Sequence, residues 1–456
     1  MGTKPTLSFY GGTGTVTGSK YLLEREGSRV MIDCGLFQGY KQLRLRNWAA
    51  PPVDPRQLDA IALTHAHIDH SGYLPIMVRD GFTGPVYCTP GTAELCAILL
   101  PDSGRLHELD ADYANRKGFS KHHPALPLYT EADALRAVER LKVIDFDEQV
   151  EVARGVKLSY AGAGHILGAA SALFTYRGGS LLASGDLGRP VDPVMNAPRP
   201  RRASDYLLIE STYGGRHHGP KAPEDALAEV IERTVARGGI VVIPAFAVGR
   251  TQTILLLIDD LKAARRIPDV PVFLDSPMAI SATNAYRRDR TTHHLSDMEV
   301  ARMTQASRYI RESEESKALD QRDGPMILIS ASGMATGGRI VHHLKKFAPD
   351  PRNTLLFVGF QAGGTRGAAL VGGAKEIKIH GAYVAVNAEV VCLDMLSAHA
   401  DEDEIIGWLK SCPEAPRRTF ITHGEPSAAD ALRRRIEEEL GWRCEVPEHR
   451  DVIELG

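Results

Sequence analysis

An α/β protein of two domains is what this sequence predicts, on three observations. The chain has 456 residues, too many for one ordinary domain and few for three. Its first part reads as strands in succession, broken by glycine-rich turns. Its middle reads as strands alternating with helical stretches, the pattern of a doubly wound parallel sheet.

Residues 6–10, 20–24 and 29–33 are short apolar or alternating runs. Residues 58–63 form another apolar run, with histidine-rich sequence directly after it. Helical patterns follow at 92–99 and 131–141, and the polar stretch 101–127 between them is expected to be loop-rich. Strands return at 156–160, 170–176 and 181–184. Residues 190–202, dense in proline and arginine, have the composition of a linker and mark a candidate domain boundary. Beyond it the apolar runs 206–210, 239–244, 270–275, 326–330 and 354–359 alternate with helices such as 223–237 and 251–263. The last part mixes strands at 390–395 and 418–422 with helices at 402–410 and 428–440.

Composition narrows the class. At 43% hydrophobic and 24% charged the chain has the balance of a soluble globular protein. Its longest apolar runs fall far short of the ~20 residues a membrane span needs, and no secretory core opens the sequence. No membrane partner and a cytoplasmic location are therefore expected. Six cysteines without a C-x-x-C pair read as reduced, mostly buried residues. The net charge of −3 argues against a general nucleic-acid footprint. Only a local patch, such as Lys41, Arg44 and Arg46, supplies positive charge for one.

Chemistry is concentrated in Thr64-His65-Ala66-His67-Ile68-Asp69-His70, directly after an apolar strand. In extended chain, residues two apart point the same way, so His65 and His67 can share one metal. A following helical turn swings Asp69 and His70 toward a neighbouring position. Three imidazoles and a carboxylate within six residues suit zinc or a similar borderline metal. Further candidates stand at expected strand ends: His165, Asp186, His399 and His423. Taken singly, each is more often a turn residue or a core histidine; together they argue for one site. The adjacent pairs His122-His123, His217-His218 and His342-His343 lack such settings and are expected on the surface.

On these residues the sequence resembles the metallo-β-lactamase-fold hydrolases, specifically their β-CASP nucleases. The H-x-H-x-D-H run, Asp33, His165 and Asp186 correspond to the fold's shared motifs, and Glu210, His399 and His423 to three β-CASP motifs. Pro244–Arg250, Asp275–Met278 and Ser330–Met334 are similar to bacterial and archaeal relatives of the mRNA 3′-end endonuclease. The resemblance spans nearly the whole chain. It implies an αββα sandwich (1–206 and 382–456, the latter carrying an RNA-specificity motif) with a β-CASP domain inserted at 207–381. It also implies two Zn²⁺ ions, Mn²⁺ fitting the same ligands. One ion takes His65, His67 and His165, the other Asp69, His70 and His423, with Asp186 bridging. Asp33 orients a ligand histidine from behind, and members of the family often pair as homodimers.

The activity so implied is hydrolysis of RNA phosphodiesters by a hydroxide held between two metals, endonucleolytic with 5′-3′ exonucleolytic trimming as a second mode. His399, Glu210 and Asp69 are the catalytic candidates. The leaving 3′-oxygen needs a proton, which is histidine work near neutral pH, so His399 is the general acid and Glu210 its orienting carboxylate. Phosphate contacts are expected from Arg250, Ser330, Ser332 and Gly333, where a glycine-rich turn follows a strand and opens a helix; plain turn chemistry is the other reading. Three rivals are a DNA-processing β-CASP nuclease, a thioesterase-like small-molecule hydrolase and a non-catalytic scaffold. His423 favours RNA within the family, the long insertion speaks against a small substrate, and retention of every candidate ligand speaks against a scaffold.

Overall fold

A computed structural model describes residues 4–118 and 120–456. The chain divides into two compact units, Met1–His217 with His399–Gly456, and His218–Ala398.

The first unit contains two seven-stranded sheets. One has the order Val452–Glu454, Thr6–Phe9, Tyr21–Arg25, Ser28–Ile32, Ala60–Ala62, Val86–Cys88, Leu141–Val143. The other runs Cys444–Glu445, Arg418–Thr422, Tyr206–Glu210, Gly179–Ala183, Ala170–Tyr176, Val156–Gly162, Gln149–Ala153. Alternate residues of both sheets meet in a single apolar cluster. Tyr21, Leu23, Val30 and Ile32 come from one, Leu158, Phe174, Leu181 and Phe420 from the other. Period-two alternation sends these side chains to one face, and burying each is worth about 1.5–3 kcal/mol. Phe9 and Phe420 join the sheets edge to face, ring centroids 5.7 Å apart. The residues out of step, Leu22, Met31 and Ile61, are buried as well, so helices cover the outer face. Helices Pro90–Lys117 and Glu131–Val138 pack on each other, and Pro426–Leu440 lies on Arg418–Thr422 and Cys444–Glu445. This is the expected αββα order.

The loop expected at 101–127 is mostly helix. Pro90–Lys117 starts at a Thr89 cap that accepts from Thr92 N, runs through Pro101, and stops at Gly118 with φ 64°. Pro101 removes one donor from the ladder, yet it is buried with Leu99, Leu100 and Gly104. A Cβ on Gly104 would meet the Thr130–Glu131 backbone at 2.7 Å. The glycine that reads as a loop signal is there for close helix packing.

Residues 190–202 are likewise not a linker. Arg201 is 3% exposed and donates to the carbonyls of Leu409, Cys412 and Glu414, while Arg202 donates to Ser159 and Ser171. The arginines buckle this segment onto the first unit.

The second unit holds a six-stranded sheet in the order Arg308–Tyr309, Val272–Leu274, Ile327–Ser330, Val241–Pro244, Thr354–Val358, Glu389–Leu393. Every pairing is parallel, as strand–helix alternation requires. A separate hairpin pairs Glu376–Ile379 with Ala382–Ala385. Strand Glu389–Leu393 was expected with the C-terminal part of the sandwich. It instead pairs with Thr354–Val358 as an edge of this sheet, so the units divide later than the expected 206/207 and 381/382.

His343 corrects another expectation. It is fully buried, with Nε2 2.6 Å from Asp275 Oδ2 and Nδ1 2.7 Å from Asp320 Oδ1. The helix Arg339–Phe347 turns His342 outward and His343 inward, with Ile340, Leu344 and Phe347. A pair of adjacent histidines on a helix has to split between faces.

Candidate metal centre

The candidate ligands of the first unit gather where strands of both sheets end. Asp33 follows Ser28–Ile32 and the histidine run follows Ala60–Ala62. His165 and Asp186 come after Val156–Gly162 and Gly179–Ala183, and His423 after Arg418–Thr422. Parallel pairing of Gly179–Ala183, Tyr206–Glu210 and Arg418–Thr422 brings their C-terminal ends to one edge. Asp33 and His423 have φ of 56° and 49°, a left-handed turn that costs about 1–3 kcal/mol and aims each side chain off its strand.

Two groups form around Asp186. In the first, His65 Nε2 and His67 Nδ1 are 3.1 Å apart, and His165 Nε2 is 3.2 Å from His67 Nδ1. Asp186 Oδ2 lies 3.4 Å from His65 and 3.7 Å from His165. In the second, His70 Nε2 and His423 Nε2 are 3.0 Å apart, and Asp69 Oδ2 is 3.6 Å from His423 Nε2. Here the other oxygen, Asp186 Oδ1, lies 3.2 Å from His70 and 3.4 Å from His423 Nδ1. The candidate ligand atoms of His65, His67, His165 and Asp186 lie within 4.8 Å of one another, as do those of Asp69, His70 and His423.

This donor set fits a divalent cation. A neutral imidazole has one ring proton. His70 Nδ1 sits 2.8 Å from Asp33 Oδ2 and His65 Nδ1 sits 3.1 Å from Thr64 Oγ1, which turns both Nε2 atoms toward Asp186. Burial holds His65 well below the ordinary histidine range and His67 at about 4, so both are neutral lone-pair donors at pH 7. Burial also works against charge on Asp186, but His423, His70 and His65 hold it ionised. His70 goes the other way: against burial, Asp186 and Asp33 raise it. A cation would take the place of the proton those carboxylates retain.

Beside these groups stands a second constellation. Both Glu210 oxygens lie near His399 Nδ1, at 3.1 and 3.2 Å. Glu210 is 1% exposed and also accepts from Leu187 N at 2.6 Å, while Ala400 N donates to Leu187 O at 2.8 Å. Leu187, next in sequence to Asp186, thus ties the pair to the cluster. The His399 ring is centred 4.5 Å from that of His165 and 6.3 Å from that of His423. Burial lowers its proton affinity, but the charge and hydrogen bond of Glu210, with the charges of Asp186 and Asp69, together hold the imidazole above its ordinary pKa.

Thr64 and Thr212 are the residues that sequence reasoning missed. Thr64 N and Oγ1 donate to Asp33 at 2.7–3.0 Å. Thr212 Oγ1 lies 3.1 Å from His423 Nδ1. Their signal is positional: each stands within two residues of a candidate site residue.

The expected phosphate contacts all lie in the second unit and do not behave alike. Ser330 is fully buried and its hydroxyl donates to Asp275 O at 2.9 Å. Arg250 is buried and donates to Leu396 O at 2.6 Å. Gly333 packs so closely on Phe246 that a Cβ would come within 2.6 Å of its ring. The Ser330 hydroxyl and Arg250 Nη1 thus each serve a carbonyl inside the unit. Ser332 is half-exposed, its hydroxyl 3.0 Å from Thr336 Oγ1.

Residues 13–268 match the Metallo-beta-lactamase superfamily. The chain belongs to that superfamily. Residues 251–370 match the Beta-Casp domain and residues 383–447 the Zn-dependent metallo-hydrolase RNA specificity domain, which places the chain in the β-CASP branch. Ribonuclease TTHA0252 of Thermus thermophilus is 36% identical over 432 residues, covering 93% of this chain and 94% of that one. The transcription termination factor FttA of Methanosarcina mazei is 33% identical over 467 residues, 98% of this chain and 71% of that one. An RNase J-like protein of Methanocaldococcus jannaschii is 31% identical, over 92% of each chain. A crystal structure of a protein of unknown function from Enterococcus faecalis V583 shares the fold, with TM-score 0.53 at 14% identity, over 99% of this chain and 100% of that one. As a β-CASP metallo-hydrolase the protein is a metal-dependent enzyme. No helix among the described residues is long and apolar enough to cross a membrane.

Proposed function

We propose that the protein is a zinc-dependent ribonuclease that cuts RNA phosphodiesters in RNA processing or decay. The observation that carries the reading is Asp186, buried between two histidine groups with one oxygen turned to each. The RNA specificity domain match and the ribonuclease relatives support RNA as substrate.

In this reading His65, His67 and His165 hold one ion, Asp69, His70 and His423 the other, and Asp186 serves both. Asp33 and Thr212 fix the rings of His70 and His423 from behind. Two divalent ions so held supply an activated water at neutral pH and neutralise phosphate charge. The remaining work falls to the chain. Glu210 accepts the Nδ1–H of His399 and favours the imidazolium, whose Nε2–H is the acid that protonates the leaving 3′-oxygen and leaves the ring neutral. Products would carry 5′-phosphate and 3′-hydroxyl ends. Ser332 and the backbone of its glycine-rich turn are the proposed phosphate contacts in the second unit.

The test is product analysis on one internally labelled RNA and its DNA counterpart, with protein of assayed metal content. Internal RNA fragments with those ends, lost on chelation and reduced about 10²- to 10⁴-fold in His399→Ala, are expected. Mononucleotides alone would make the enzyme a 5′ exonuclease. Two zincs per chain with neither nucleic acid cut would overturn the ribonuclease reading. A second reading, a part in ending transcription, rests on the likeness to archaeal termination factors.

A further inference from the structure

The segment 37–48 has no counterpart in the chemistry above, and its surface is unusual. It leaves the metal centre directly: Cys34 N donates to His70 O, and Leu36 N to Ile68 O. One buried side chain then closes the loop, with Asn47 Oδ1 accepting from Phe37 N at 2.9 Å and Asn47 Nδ2 donating to Phe37 O at 2.8 Å. Between these anchors the helix Lys41–Arg46 buries no residue at all.

What it presents is aromatic and basic. Trp48 is 58% exposed, and Tyr40 and Leu45 are exposed beside it. Lys41, Arg44 and Arg46 alternate with them, and residues 37–48 contain no acid. Among the described residues none of these three cations takes part in an ion pair, whereas Arg25, Arg29 and Arg56, the arginines nearest in sequence, all do. Arg46 is held over the Phe37 ring, 5.3 Å from its centroid, and Arg450 lies close enough to repel its charge. Next to Trp48 opens a groove of about 320 Å³, lined also by Ala50, Ile76, Arg79 and Leu126.

Unpaired cations kept together against their mutual repulsion need an anion, and exposed aromatic faces between them need flat partners. Single-stranded RNA supplies both, since bases stack on aromatic rings and phosphates pair with Lys and Arg. We propose that this face is a platform for single-stranded RNA running to the metal centre. Trp48 and Tyr40 stack on bases, and Lys41 and Arg44 meet phosphates. The platform rests on the ribonuclease reading and names how that substrate is gripped outside the reacting atoms.

The test is binding by the metal-loaded full chain, with every protein compared carrying His399→Ala so that cutting is slow, to fluorescent single-stranded RNAs of about 16 and about 4 nucleotides over a salt series. Trp48→Ala should weaken the longer RNA roughly 5- to 150-fold, the loss that follows one stacked base, and the shorter one much less. Trp48→Phe, which keeps a π face, should recover most of it. Lys41→Glu with Arg44→Glu should flatten the slope of log affinity against log salt by about 1.4, from two lost phosphate contacts. Trp48 is a surface residue, so its variants fold. If the His399→Ala parent binds RNA and both variants match it in affinity and slope, the platform is refuted and the face belongs to a protein partner. If that parent binds no RNA, the ribonuclease reading falls and takes the platform with it.

Discussion

Replacing His343 by leucine tests how the second unit holds its sheet together. Both ring nitrogens face carboxylates, Asp275 at 2.6 Å and Asp320 at 2.7 Å, so both must donate and the ring is an imidazolium. Burial opposes that charge, but the hydrogen bonds and charges of the two aspartates raise the pKa. Asp275 also accepts from Ser316 at 2.5 Å and Arg339 at 2.6 Å. Burial favours protonating it, yet these partners keep it below the ordinary carboxylate range. Leucine removes one partner from a fully buried charge, which costs about 3–5 kcal/mol. For a unit of this size that is a fall in midpoint on the order of 10 °C.

The pH dependence has a definite sign. A histidine whose folded pKa exceeds its unfolded value contributes fully below the unfolded value, near 6.5, and its contribution is lost as pH rises through the folded pKa. Asp275 behaves oppositely: its contribution is present above its unfolded pKa and fails only in acid. Thermal unfolding of wild type and His343→Leu near pH 6 and near pH 9 should therefore show a wide gap that narrows on the alkaline side. A gap equal at both pH values, or under about 2 °C at the lower one, would refute the imidazolium bridge.

Other expectations concern the metal centre and the packing around it. Asp33→Asn should lower zinc affinity about 10- to 100-fold, read by competition with a chromophoric chelator; an unchanged affinity would show that Asp33 does not orient His70. Removing metal should abolish cleavage and lower the thermal midpoint of the first unit, both restored by zinc, because seven ligand groups are otherwise left facing one another at 3.0–3.7 Å. Gly333→Ala should destabilise the second unit by about 1–3 kcal/mol through the clash with Phe246; a neutral result in urea denaturation would mean the Phe246 ring yields freely.

The candidate metal centre was legible because its signals are local. Strand alternation followed by H-x-H-x-D-H places four candidates in six residues, and the remaining candidates each end a run that reads as a strand. What stayed hidden depends on contacts distant in sequence. Gly104 and Pro101 resemble loop chemistry until the Thr130 backbone is seen against the helix. Arg201 resembles a linker residue until the carbonyls of Leu409, Cys412 and Glu414 are placed around it. His343 is indistinguishable from His342 until Asp275 and Asp320 arrive from elsewhere in the fold. The same holds for strand Glu389–Leu393, whose pairing with Thr354–Val358 no local pattern announces.

Strand Arg418–Thr422 lies between Tyr206–Glu210 and Cys444–Glu445, with Leu208 opposite Phe420 and Glu210 opposite Thr422. His423 is the residue that follows. On a ribosome, the residues up to Asp186 emerge long before this strand does. At about 5–20 residues per second the interval is on the order of ten to fifty seconds. Throughout it the second histidine group is incomplete, and for most of it His399 has yet to be made. A nascent chain that assembled a competent cutting edge early would sit beside its own message. Here strand Arg418–Thr422 acts as a timer: the second histidine group closes only once His423 has been made.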